Sequence, residues 1–277
     1  VTQIGTAAFL GCDAESLAIP AGVTEGVADA LLGYENVDKV TFAESSPYKI
    51  DNGVLYHGTV LEAVLDRNIT ALVVLPGTTE IAKNVCASDN GIMSGTGVSI
   101  DACEDLVTVV IPESVTKIGT NAFNGALKKA GSTLIMMGET PPDIDQRLWT
   151  NKRNETNIPT PENLTVIIPA GSEQNYSNCE AFTNYITNEG ETRPGITFTL
   201  TLAGSASIDV GKTVSPEVTY TLPTGASLEW ASSDASVATV ENGTVTGVSS
   251  GAADITASIT LNGVTLASSS CTVTVTT

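Results

Sequence analysis

The single histidine of the chain, His57, stands in the run Leu55-Tyr56-His57-Gly58-Thr59. General acid–base and nucleophilic mechanisms lean on histidine, on tuned carboxylates or on an activated nucleophile, so a Ser–His or Cys–His pair here has one imidazole to draw on. No G-x-S-x-G or G-S-C-W nucleophile motif accompanies it, and the run reads as a hairpin turn with an exposed imidazole. Cys12, Cys86, Cys103, Cys179 and Cys271 are odd in number and widely spaced, without a C-x-x-C pair or a zinc-type cluster. Most of them read as small buried hydrophobes. Asp143 and Asp145 form a D-x-D pair, but the glycine and closing glutamate of an EF-hand loop are missing, so a solvated loop is expected there rather than a calcium site. H-E-x-x-H, P-loop and dinucleotide-binding patterns are absent as well. Five N-x-[ST] sequons, at Asn68, Asn154, Asn163, Asn175 and Asn242, read as accidents of a Thr- and Asn-rich chain. No catalytic, cofactor-binding or metal-ligating residue is therefore expected, no cofactor is implied, and no particular residue stands out as a binding site.

At 277 residues the chain suits two domains, each able to bury its own core. Its 31 acidic and 12 basic residues give a net charge of −19, which argues against nucleic acid and against adsorption to an anionic membrane. No apolar run is long enough to form a transmembrane helix. Val1 falls inside a repeat and follows no basic-then-apolar leader, which reads as a trimmed or processed product whose export signal is missing.

That repeat is the main organising feature. Val1–Cys12 (VTQIGTAAFLGC) and Val115–Ala126 (VTKIGTNAFNGA) agree at eight of twelve positions. Phe9 precedes Pro20 by 11 residues and Pro112 precedes Phe123 by 11, so one full turn is 22. Counting on from Pro20 puts Leu31 in the Phe position, and a degenerate copy after Leu75-Pro76 puts Cys86 there, one residue short. Short strands are expected at Leu72–Leu75, Val107–Ile111, Asp38–Phe42 and Leu164–Ile168, ended by proline where it removes a ladder donor. One such unit cannot bury its own apolar face, but a stack can.

The I-P-x-x-V-T-x-I-G-x-x-A-F-x-G-C pattern resembles the BspA-type leucine-rich repeat of surface proteins in gut and oral bacteria. Ser46–Tyr56, with its Asn52-Gly53 turn, resembles that family's inserted hairpin. Thr140-Pro141-Pro142 with Val166–Ser172 is similar to its C-terminal cap. The Gly/Ser/Asp-rich stretch Ala87–Val98 is expected to be an inserted loop, and Asp143–Glu162 to be polar and irregular.

After the polar Gly/Pro-containing segment Asn188–Gly195, the pattern changes to period-two alternation, beginning with Ile196, Phe198, Leu200 and Leu202. Strands are expected at Val214–Leu222, Leu228–Ala231, Val237–Val240, Thr244–Val248, Ala253–Leu261 and Cys271–Val275, with N-G turns at Asn242 and Asn262. Six or seven short strands in so short a span read as a sandwich. Leu228–Asp234, Val237–Val240, Gly243–Gly247 and Gly251 resemble the group 2 bacterial Ig-like domain. The resemblance makes Trp230 its core tryptophan, and the alternation of Cys271 with Val273 and Val275 points to a buried thiol.

The expected fold class is thus mainly β: an irregular leucine-rich-repeat solenoid followed by an immunoglobulin-like β-sandwich. The expected domains are residues 1–187 (repeats and cap), 188–195 (linker) and 196–277 (Ig-like). The resemblances imply a non-enzymatic bacterial protein, secreted or at the cell surface, that binds an extracellular protein or glycan of a host or of neighbouring bacteria. The alternatives are a structural spacer within a larger exported protein and a surface-polymer hydrolase.

Overall fold

The computed structural model describes residues 1–88, 100–145, 147–149, 158–160, 162–188, 191–192, 199–222, 226–261 and 264–277. The chain divides into two compact units, residues 1–166 with 174–193 and residues 167–173 with 194–277.

In the first unit the β-branched triplets and quartets form strands too short to stand alone, and they stack in parallel. Leu17–Ile19 lies beside Val40–Phe42 with Leu17 opposite Val40. Ala71–Val73, Thr108–Ile111 and Ser132–Met136 form one parallel ladder, with Leu164–Ile167 bonded next to Ser132–Met136. Val60–Val64, Glu80–Ile81, Lys117–Ile118 and Asp143–Ile144 form another. The hairpin Tyr48–Asp51/Val54–His57 adds antiparallel to Val60–Val64, around Asn52 and Gly53 at φ 47° and 75°. Two positive φ values match the Asn-Gly turn that the sequence announces. Parallel ladders linking successive coils are what the repeat requires.

Each motif residue has a structural reason. The threonine of V-T-x-I-G bonds across the coils: Thr24 Oγ1 donates to the carbonyl of Thr2, Thr79 Oγ1 to that of Thr59, and Thr116 Oγ1 to that of Thr79. These pairs stand 22, 20 and 37 residues apart. The 22-residue period is therefore real, and it is interrupted where the sequence carries its Gly/Ser/Asp-rich insertion. Of that insertion only Ala87 and Ser88 are among the described residues. Ile81 and Ile118 are fully buried in register. Gly119 follows because a β-carbon there would lie 2.5 Å from Lys83 N and 2.9 Å from Lys83 Cα. Two residues on, Asn84 and Asn121 take the left-handed conformation (φ 60° and 59°), which asparagine tolerates better than most residues; Ala7 holds the same place at φ 58°.

The Phe position is joined from coil to coil by backbone bonds, in one run Phe9 and Leu31 and in another Val64, Cys86, Phe123 and Trp149. Phe9 N–H donates to Ala30 O, Val64 to Val85 O, Cys86 to Ala122 O and Phe123 to Leu148 O. Phe9, Leu31, Val64, Cys86, Phe123 and Trp149 thus occupy equivalent sites. Leu31, Val64, Cys86 and Phe123 are 0% exposed and Trp149 is 6% exposed, each large side chain contributing about 1.5–3 kcal/mol by burial.

The structure corrects two expectations and adds detail to two others. Asp143–Ile144 is the last strand of its ladder, and Leu148 and Trp149 are core residues, so this region is not simply polar loop. Tertiary stacking supplies the burial that its composition did not suggest. Asp38 lies in a 3₁₀ turn, Val37–Lys39, ahead of the strand Val40–Phe42. The cap carries two short helices, Glu173–Ser177 and Glu180–Ile186, whose Tyr176 and Phe182 pack edge to face at 5.3 Å. The segment expected as linker takes part in a small antiparallel pair, Thr187–Asn188 with Glu191–Thr192.

The second unit is built from alternating strands. Ala206–Asp209, Val264–Thr276, Gly251–Leu261 and Ser227–Ser232 form one sheet, and Thr213–Val214, Thr244–Gly247 and Ala238–Glu241 another. Thr199–Leu202 pairs with Val218–Thr221. Ala238, Val245, Ile255, Ala257, Val273 and Val275 face one another in the core, with Cys271 buried beside them. Ala206–Asp209 went unread because it is too short to show a period, and the strand expected at Val214–Leu222 is two, Thr213–Val214 and Val218–Thr221, in different sheets. Trp230 is half-buried and packs against this core, with its ring also against the Asn242-Gly243 turn. The turn at Asn262-Gly263 lies outside the described residues.

Candidate functional site

His57 is placed by the hairpin: it ends the strand Val54–His57, opposite Tyr48. Its ring stacks on Tyr48 with centroids 4.4 Å apart and planes 17° apart, and Nδ1 lies 3.2 Å from Glu62 Oε1. It is half-buried rather than exposed, because both neighbours hold its ring against the sheet. Among the described residues no serine or cysteine hydrogen-bonds to it. Asp143 and Asp145 are both exposed, their backbone N–H groups bonded to Thr116 O and Ile118 O. Among the described residues no group of three or more His, Cys, Asp or Glu is placed to hold a metal. The amides of Asn163 and Asn175 donate to Lys128 O and Glu139 O, which ties two of the sequon side chains into the fold.

Two surface features of the repeat unit remain. One is a register-aligned strip. Glu80 stands opposite Lys117, and Lys117 opposite Asp143, on consecutive parallel strands, which lie about 4.8 Å apart. Lys117 Nζ reaches Glu80 Oε1 at 2.9 Å. That hydrogen bond, helped by the charges of Glu80, Asp145 and Asp143, holds the ammonium above its ordinary pKa. Thr79 and Thr116 extend the strip as exposed hydroxyls. Charges of both signs beside hydroxyl oxygens that can still accept suit the recognition of polar partners, peptide or sugar.

The other is a cleft of about 830 Å³, walled by Glu35, Asp38, Asp66, Asp101, Glu104 and Asp105. Arg67 is the one cation among its lining residues. Sequence reasoning missed both features, because the cleft joins residues 33–68 to residues 100–105 and the strip depends on the interrupted register. Alternation of Glu80-Ile81 and Lys117-Ile118 was the one local signal for the strip.

Among the described residues, no helix is long and apolar enough to cross a membrane. No curated protein matches the chain. The profile described as "BspA type Leucine rich repeat region" matches residues 1–73 and 99–193 in six copies. That described as "Bacterial Ig-like domain (group 2)" matches residues 195–276. The stretch that the repeat profile skips contains the degenerate copy around Ile81 and Cys86, which the structure nonetheless stacks between its neighbours. Both are non-catalytic repeat or Ig-like families, of kinds typical of bacterial surface proteins. With more than half of its length matched in phase, the chain belongs to the BspA-type leucine-rich-repeat family and carries a group 2 bacterial Ig-like domain after the repeats.

Proposed function

We propose that the protein is a non-enzymatic binding or adhesion protein of the bacterial exterior, secreted or displayed on the cell surface. Its repeats present a face to an extracellular protein or glycan of a host or of neighbouring bacteria, and its Ig-like domain is a spacer. The observation that carries this reading is the strip Glu80–Lys117–Asp143, which sets half-buried or exposed charged groups from three coils in one register. Stacked coils make extended surfaces of this kind, which suit large partners. We assign residues 1–187 to the repeat domain with its cap, 188–195 to the linker and 196–277 to the Ig-like domain. The repeat match ending at 193, the Ig-like match starting at 195 and the compact segment 194–277 support a change of domain in this stretch. Limited proteolysis is expected to cut first within 188–195, and a first cut within 1–187 or 196–277 would refute it.

The functional test is a screen of the full chain against extracellular-matrix proteins and a glycan array. Saturable binding to at least one class is expected. Silence across both would favour the spacer reading.

A further inference from the structure

We propose that Cys86 and Cys103 are an oxidisable pair that closes into a disulfide, so that the two ends of the insertion between them are locked together. Three observations place them for it. The backbone N–H of Cys103 donates to the carbonyl of Cys86 at 2.9 Å, which with standard backbone dimensions holds their α-carbons roughly 5–6 Å apart. That spacing falls within the roughly 4.4–6.8 Å between α-carbons that a disulfide spans. Both residues are fully buried, and each thiol lies near enough to the other to shift its acidity. Arg67 Nη1 lies 3.5 Å from Cys103 Sγ and also donates to Val85 O at 3.1 Å, while its Nε is buried without a partner.

The two thiols are not equivalent. The Cys86 thiol and then the guanidinium of Arg67 favour the Cys103 thiolate, against burial and the charge of Asp66. Cys103 in turn, with burial, pushes Cys86 well up. Cys103 is therefore the nucleophile and Cys86 the resolving thiol. Ala102, Glu104 and Arg67, neighbours of Cys103 in sequence or by contact, line the acidic cleft; its charge draws in a cationic oxidant, which reaches the fully buried thiol through local opening of the chain. With a small disulfide as oxidant, the Cys103 thiolate attacks one sulfur and the other leaves as a thiolate. Cys86 then gives its proton to that thiolate and attacks Cys103 Sγ, which releases the second thiolate. The two cysteines are oxidised by two electrons and the disulfide is reduced to two thiols. Cys271 lies in the other unit, opposite Ile255, and takes no part.

The test is to incubate the reduced full chain with cystamine, a dicationic disulfide, and to map peptides after alkylation without reduction. The expected product joins the Cys86 and Cys103 peptides and is lighter than the reduced pair by two hydrogens. It raises the Tm of the repeat unit by roughly 6–12 °C, and dithiothreitol reverses it. Cys86→Ala is expected to trap cysteamine on Cys103, and Cys103→Ala to leave Cys86 unmodified. Recovery of both cysteines alkylated, or cross-links to Cys12 or Cys179 instead, overturns the proposal. The wild-type map decides this even if the variants fold poorly.

Discussion

Gly119 and Gly5 occupy the same place in the I-G motif, and alanine is expected to have opposite effects at the two. At Gly119 a new β-carbon would meet backbone: Lys83 N at 2.5 Å, and Ala82 C and Lys83 Cα at 2.9 Å. Favourable carbon contacts begin at about 3.5 Å, so the adjoining coil would have to retreat by roughly half an ångström or more. It is pinned there by Gly119 N–H to Ile81 O at 2.8 Å and Asn84 N–H to Thr120 O at 3.1 Å. Overpacking of this kind costs about 3 kcal/mol. The stiffer unfolded chain gives back roughly 0.5–1 kcal/mol, leaving a net loss of about 2 kcal/mol. For a unit of this size that lowers Tm by roughly 4–8 °C. Gly5 has nothing within 4 Å of the same β-carbon, so Gly5→Ala keeps only the unfolded-state gain, about 0.5 kcal/mol, and a Tm rise of roughly 1–2 °C. The assay is thermal unfolding followed by Trp149 fluorescence in a Trp230→Phe background, which makes the repeat unit the sole reporter. Equal shifts in the two variants, or an unperturbed Gly119→Ala, would refute the claim that close coil approach selects this glycine.

Alkaline unfolding should track buried phenols. Tyr56 is pushed up to about 12 by burial, and Tyr48 also to about 12, by burial and then by the charges of Glu62 and Glu25. Their neutral forms are favoured in the folded state, so this stability is intact below pH 10 and is lost as pH rises toward 12. A titration at 295 nm should show these tyrosines ionising only as near-ultraviolet dichroism collapses; complete ionisation near pH 10 with dichroism intact would contradict it. Phe123→Ala, at a fully buried site 6.2 Å from Trp149, should cost about 3–5 kcal/mol, and a calorimetric loss under 1 kcal/mol would count against the shared run. In the second unit Gly243→Ala, at φ 79° with its β-carbon 3.1 Å from the Trp230 ring, should cost about 1–3 kcal/mol. Its measurement is denaturant unfolding followed through Trp230.

The repeat was legible because its residues are local consequences of stacking: the threonine donates to the coil beside it, the glycine admits that coil's backbone, and the Phe fills the buried position. Substitution at that position hid the extent of its runs. Val64 and Trp149 carry no A-F-x-G signature, and only the hydrogen bonds to Val85 and Leu148 reveal them. Asp143–Ile144 was obscured because two residues cannot show a period; a neighbouring strand makes them one. The Cys86–Cys103 contact was invisible for a different reason. It closes an insertion, and neither spacing nor composition states where an insertion returns.

The most direct test of the functional account is the affinity of the full chain for the screened protein or glycan with the strongest saturable signal, measured for two variants. Lys117→Glu reverses the centre of the register-aligned strip, and Thr274→Lys alters an exposed position on the second unit. The account predicts that Lys117→Glu weakens binding roughly tenfold or more while Thr274→Lys leaves it unchanged. Binding that survives Lys117→Glu and falls with Thr274→Lys would contradict it.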